Sequence, residues 1–109
     1  MAIEVTLLHP HFDANHLAAV TEEMRTMGAP KVKAVWQPGW GVWVALEGCH
    51  RLRAAHALGL TPEFDEVEYS DQDMQDPALG LDFDVVGVSV ADVVDRGHTR
   101  PSLVFGIAD

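Results

Sequence analysis

The chain is predicted to fold as a compact α+β domain in which a small mixed sheet is flanked by two main helices. Three observations carry this expectation. Apolar residues recur at helical spacing between Asp13 and Gly28, two alternating segments are joined by Gln37-Pro38-Gly39, and a strand-like run passes through Gly48 into a second helical stretch closed by Gly59. With 109 residues and 48 % apolar side chains, the chain has material for one modest core and little for a second domain.

Ile3-Glu4-Val5-Thr6-Leu7-Leu8 alternates enough for a short strand, which His9-Pro10-His11-Phe12 breaks. Asp13 suits an N-cap, and Leu17, Val20, Met24 and Met27 predict a helix over Ala14–Met27 that Gly28 ends. Residues 31–36 alternate, Gln37-Pro38-Gly39 turns the chain and residues 42–46 return, predicting an antiparallel hairpin with Trp40 in its loop. A second helix is expected over 51–58, and 64–69 reads as a third core strand whose Asp65, Glu66 and Glu68 keep one side wet. Residues 71–77 are acidic and turn-rich. Val85-Val86-Gly87-Val88-Ser89-Val90 fits either a strand or the lead-in to a short helix over 91–95, and periodicity does not separate the two. Residues 101–107 are expected to form a last strand.

The charge balance, 17 acidic against 7 basic side chains for a net −10, repels a phosphate backbone at long range and disfavours direct DNA binding by this chain. No charged n-region and apolar h-region open the sequence, and no apolar run approaches the roughly 20 residues of a membrane span. The expectation is a soluble cytoplasmic protein. A single cysteine, Cys49, forms no internal disulfide and fits a reducing compartment.

The densest chemistry lies in Leu46-Glu47-Gly48-Cys49-His50-Arg51-Leu52-Arg53-Ala54-Ala55, where a strand gives way to a helix. First-turn amides of a helix lack intrahelical partners, and with the helix dipole they attract phosphate or carboxylate. Gly48 would let backbone approach a ligand, His50 would donate a hydrogen bond, and Arg51 would add a bidentate clamp. Arg51 also suits a surface salt bridge. Arg53 lies around the helix from Arg51 and equally suits a pair with Glu47. Cys49, at a helix start beside a histidine and an arginine, is in the setting of reactive thiols, while a small apolar residue filling a tight turn is the simpler reading.

This box resembles the signature of the ParB/sulfiredoxin superfamily, in which partition proteins carry G-E-R-R-x-R-A and sulfiredoxins carry G-G-C-H-R-Y-x-A at a strand-to-helix turn. Gly48, Arg51, Arg53 and Ala54 match the first pattern; Gly48, Cys49, His50, Arg51 and Ala55 match the second. The likeness extends over roughly residues 3–70, through Ala29-Pro30-Lys31-Val32-Lys33-Ala34-Val35-Trp36 and Leu58-Gly59-Leu60-Thr61-Pro62. It implies a ParB/sulfiredoxin-like domain that binds a nucleotide, ATP or CTP, with or without Mg, through Gly48, Cys49, His50, Arg51, Arg53 and His16. From sulfiredoxins it implies a catalytic Cys49 that works with ATP, with His50 and Arg51 on the phosphates.

The leading helix departs from the sulfiredoxin pattern, placing His16 where a lysine stands, Ala19 where a serine stands and Glu23 where a threonine stands. A carboxylate facing triphosphate is repulsive unless a metal bridges them. Partition proteins have an acidic residue after the glycine, whereas here Glu47 precedes it and Cys49 takes that place. The chain also leaves no length for the helical domain with which those proteins clamp DNA. Phosphate binding at 48–51 is the property common to both comparisons.

His9, His11 and His16 invite a metal reading, but no cysteine pair or tight carboxylate cluster completes it. Asp71, Asp73 and Asp76 form only a loose acidic loop, so the nuclease activity commonly attached to ParB-like domains finds no metal–carboxylate site. His56 and His98 carry no assigned role. Two of Trp36, Trp40 and Trp43 are expected to pack the sheet against its helices, leaving Trp40 at the loop tip to meet a protein partner.

Three functions follow as expectations: a nucleotide- or phosphate-binding module, a kinase-like or sulfiredoxin-like enzyme using Cys49 with His16 or Glu23 as helpers, and a non-catalytic protein-interaction domain.

Overall fold

The computed structural model describes residues 2–106 as one α+β unit with a five-stranded mixed sheet in the order β4-β2-β3-β1-β5. The elements run β1 (Ile3–Thr6), α1 (Ala14–Met27), β2 (Lys31–Gln37), β3 (Val42–Ala45), α2 (Cys49–Leu58), β4 (Glu63–Glu66), α3 (Val90–Asp95) and β5 (Ser102–Phe105).

Local chemistry explains the first half of the chain. The Asp13 carboxylate accepts from the His16 N–H at 2.8 Å and caps α1, and Gly28, at φ 83°, ends it with its N–H on the Met24 carbonyl at 2.9 Å. The hairpin closes through Gly41 N–H to Gln37 O at 2.9 Å, and Trp36 lies opposite Trp43. Gly59 closes α2 in the left-handed region.

Alternation along the strands divides the core. On one face Val5, Val32 and Ala45 pack with Leu52 and Ala55 of α2 and Met24 of α1. The small Ala54 and Ala55 let α2 lie close to its neighbours, and burying Leu52 completely contributes ~2 kcal/mol. On the other face Val35, Val44 and Leu46 meet Met74, Val90 and Val94.

Three expectations need correction. The segment read as a third core strand forms β4 over Glu63–Glu66, shorter than 64–69, and pairs only with β2 at the sheet edge, where its carboxylates stay in water. The valine run takes the second of its two readings, the lead-in to a short helix. Val85 and Val86 are exposed, and the helix begins at Val90 because Ser89 and Asp92 form a reciprocal capping box. The second helix starts at Cys49, two residues before position 51, because Gly48 itself is the N-cap. Only Trp43 of the three tryptophans is well covered, stacking on Phe64 at 4.4 Å, while Trp36 remains exposed. The last strand is β5, and position 107 of the expected range lies outside the described residues.

No helix among the described residues is long and apolar enough to cross a membrane.

Candidate functional site

Parallel pairing of β1 and β3 builds the site. Val5 lies beside Trp43 and Thr6 beside Val44, so both strands deliver their C-terminal loops to the same end of the sheet. The loop after β1 leads into α1 and the loop after β3 leads into α2, bringing two helix N-termini together. Such a crevice beyond strand carboxyl ends is a favoured place for ligands in open α/β sheets.

A cavity of about 390 Å³ occupies this crevice. Its lining includes Glu47, Gly48, Cys49, His50 and Arg51 from the turn into α2, His9 and His16 from the loop before α1 and from α1, and Leu81, Asp82 and Phe83. The first hydrogen bond of α2 runs from Leu52 N–H to Gly48 O at 2.8 Å. The N–H groups of Cys49, His50 and Arg51 meet no acceptor among the described residues.

Gly48 is required twice over. Its φ is +77°, and a Cβ there would lie 2.7 Å from Val32 Cγ1 and 3.3 Å from Arg51 Nη2. The tight fold of backbone over Val32 turns the chain from strand into helix.

Arg51 is already engaged. Its Nη1 donates to Lys31 O at 3.1 Å and its Nη2 lies 3.5 Å from Glu47 Oε1, while Glu47 Oε2 accepts from the Lys33 N–H at 3.0 Å. The surface pair expected of Arg53 with Glu47 thus belongs to Arg51, which stands four residues after Glu47. Arg53 lies beneath the loop before α1, with its guanidinium 4.6 Å from the centroid of the Phe12 ring and a hydrogen bond to Pro10 O at 3.2 Å. It holds that loop and does not line the cavity.

One ring nitrogen of His50 is already an acceptor, so the donor role expected of this residue falls to the other. Its Nε2 accepts from the Asp13 N–H at 2.9 Å, so that nitrogen carries no proton. The His16 ring meets the His50 ring edge-on at 4.4 Å. Partial burial first, then the neighbouring His16 and His9, with a smaller contribution from Arg53, hold His50 below its ordinary value of 6.5, against the opposing Asp13 carboxylate.

Cys49 is buried, and its Sγ lies 3.8 Å from the His9 carbonyl in donor geometry. The packing role expected of a small residue in a tight turn describes its surroundings, and a nucleophile would need that contact to open. Of His9, His11 and His16, the first and third line the cavity, while His11 faces His9 at 6.2 Å between ring centroids. Among the described residues no group of three or more His, Cys, Asp or Glu side chains is arranged to hold a metal ion. Trp40 is 49 % exposed, yet it is no free tip: its ring meets His98 edge-on at 5.9 Å.

His9, Asp82 and Phe83 were not singled out for this site by the sequence. No local signal marks them, because position 82 reaches position 48 only through the packing of the 71–95 segment against the far face of the sheet. No protein family, curated protein or solved structure matches the chain.

Proposed function

We propose that this chain binds a phosphate-bearing ligand, a nucleotide foremost, at the N-terminus of α2, the function implied by its resemblance to ParB/sulfiredoxin proteins at 48–51. The observation that carries the reading is the row of three unpartnered amides, Cys49, His50 and Arg51, at the wall of a cavity of about 390 Å³. Amides at a helix start supply fixed partial positive charge without the desolvation cost of a buried cation. A cavity of this size accommodates a small ligand.

Charge decides what the site must overcome. Glu47 pairs with Arg51, and Asp82 also lines the cavity. A phosphate gains the full clamp only by drawing Arg51 away from Glu47, so ligand binding includes an exchange of anionic partners on one guanidinium. His16 lies where it can donate to a phosphate as His50 stays neutral, and Arg53 supports the loop from outside the cavity.

The test is a thermal-shift panel of phosphate, ATP, ADP and CTP, each with and without Mg. A ligand at a hundred times its Kd stabilises by about 2.7 kcal/mol, which moves the midpoint by several degrees. The expected result is a shift with at least one nucleotide that Arg51→Ala removes. An unchanged midpoint across the panel overturns the reading.

A further inference from the structure

We propose that His50 is a proton-operated clasp between the start of α1 and the first turn of α2, closed while its ring is neutral and opened when the ring takes up a proton. Asp13 and His50 are 37 positions apart, yet the Asp13 N–H donates to the Nε2 lone pair at 2.9 Å. That geometry requires a bare Nε2 and leaves the ring proton on Nδ1. A proton on Nε2 would set donor against donor, and the bond would be lost.

The surroundings act on the same proton. From α1 come the His16 ring and the Asp13 carboxylate, from the loop before it His9, and from α2 itself Arg53. His16, His9 and Arg53 oppose a further positive charge, and Asp13 alone favours it. The rest of the cavity wall offers Cys49, the Glu47–Arg51 pair and Asp82. Opening the clasp would leave the loop before α1 tied to α2, among the described residues, by Arg53 at Pro10 O and Phe12, by the Cys49 thiol at His9 O and by the packing of Leu8. One wall of the cavity would then be free to shift. The clasp stands without any ligand; only its consequence for phosphate rests on the function proposed above.

The experiment follows the ring nitrogens of His50 and the amide of Asp13 by NMR in the ligand-free protein, from about pH 8 to about pH 5, the range in which histidine titrates. The expected result is an Nδ1–H tautomer at the alkaline end and an Asp13 amide that moves with the same midpoint as the ring, below 6.5. In His16→Gln the midpoint rises. In His50→Gln, whose amide oxygen accepts at any pH, the Asp13 signal stops responding to the titration. An Nε2–H tautomer at the alkaline end, or an Asp13 amide that ignores the ring, overturns the clasp. A flat ligand panel overturns the phosphate function and leaves this result unaffected.

Discussion

Glu47 Oε1 lies 3.5 Å from Arg51 Nη2, so the acidic residue just before the glycine turn occupies the cation that the box offers to a ligand. Both side chains retain solvent contact, 40 % for Arg51 and 28 % for Glu47, and a pair of that exposure contributes up to ~1 kcal/mol. Glu47→Gln keeps an oxygen for the Lys33 N–H while releasing Arg51. Phosphate or nucleotide affinity, measured by calorimetric titration, is expected to rise by up to about five-fold. Unchanged affinity in this variant would mean that Glu47 does not compete with the ligand for Arg51.

Gly48→Ala is expected to destabilise the fold by at least ~1 kcal/mol, because an L-residue pays that much in the left-handed region before the added methyl meets Val32. Urea unfolding reads this directly. Gly28→Ala is the useful comparison: its φ is also positive, but no atom lies within 4 Å of the new Cβ, so the loss there is smaller.

Cys49 is expected to react with iodoacetamide at neutral pH more slowly than a free thiol in solution, because it is 5 % exposed and its Sγ faces the His9 carbonyl. Unfolding in urea should restore the free-thiol rate. Rapid labelling of the native protein would revive a nucleophilic role for this residue.

Stability is expected to fall with acidity in two stages. His50 is held below its ordinary 6.5 by burial and its neighbours, so between its folded value and 6.5 the unfolded chain binds more protons. Its contribution is complete above 6.5 and is lost as pH falls below that. Asp13, lowered chiefly by the His16 N–H, and Asp92, lowered chiefly by the Ser89 N–H, contribute fully above 3.8 and are lost below it. Melting midpoints recorded across this range should show both declines, and His50→Gln should remove the first alone.

Much of the architecture was legible in local sequence. Asp13 and Gly28 bound α1, Gly59 ends α2, and the alternation of 31–36 and 42–46 makes the hairpin, because caps, turns and periodicity act between residues a few positions apart. Ser89 and Asp92 also carried a capping signal for α3, one that the valine run before them obscured.

The candidate site was legible only along one of its walls. The run Gly48 to Arg51 at a strand-to-helix junction marked a helix start with free amides, and its own spacing placed Glu47 within reach of Arg51. Local spacing is silent on which nitrogen of His50 carries the proton and on what faces the turn. Those outcomes follow from parallel pairing of β1 with β3, which brings Asp13 against His50, and from the return of 71–95 across the sheet, which brings Asp82 into the same cavity lining as Gly48. The chain by itself determined where backbone amides go unpaired; tertiary packing decided which charges and rings surround them, because contacts between distant segments are set by how whole faces bury together.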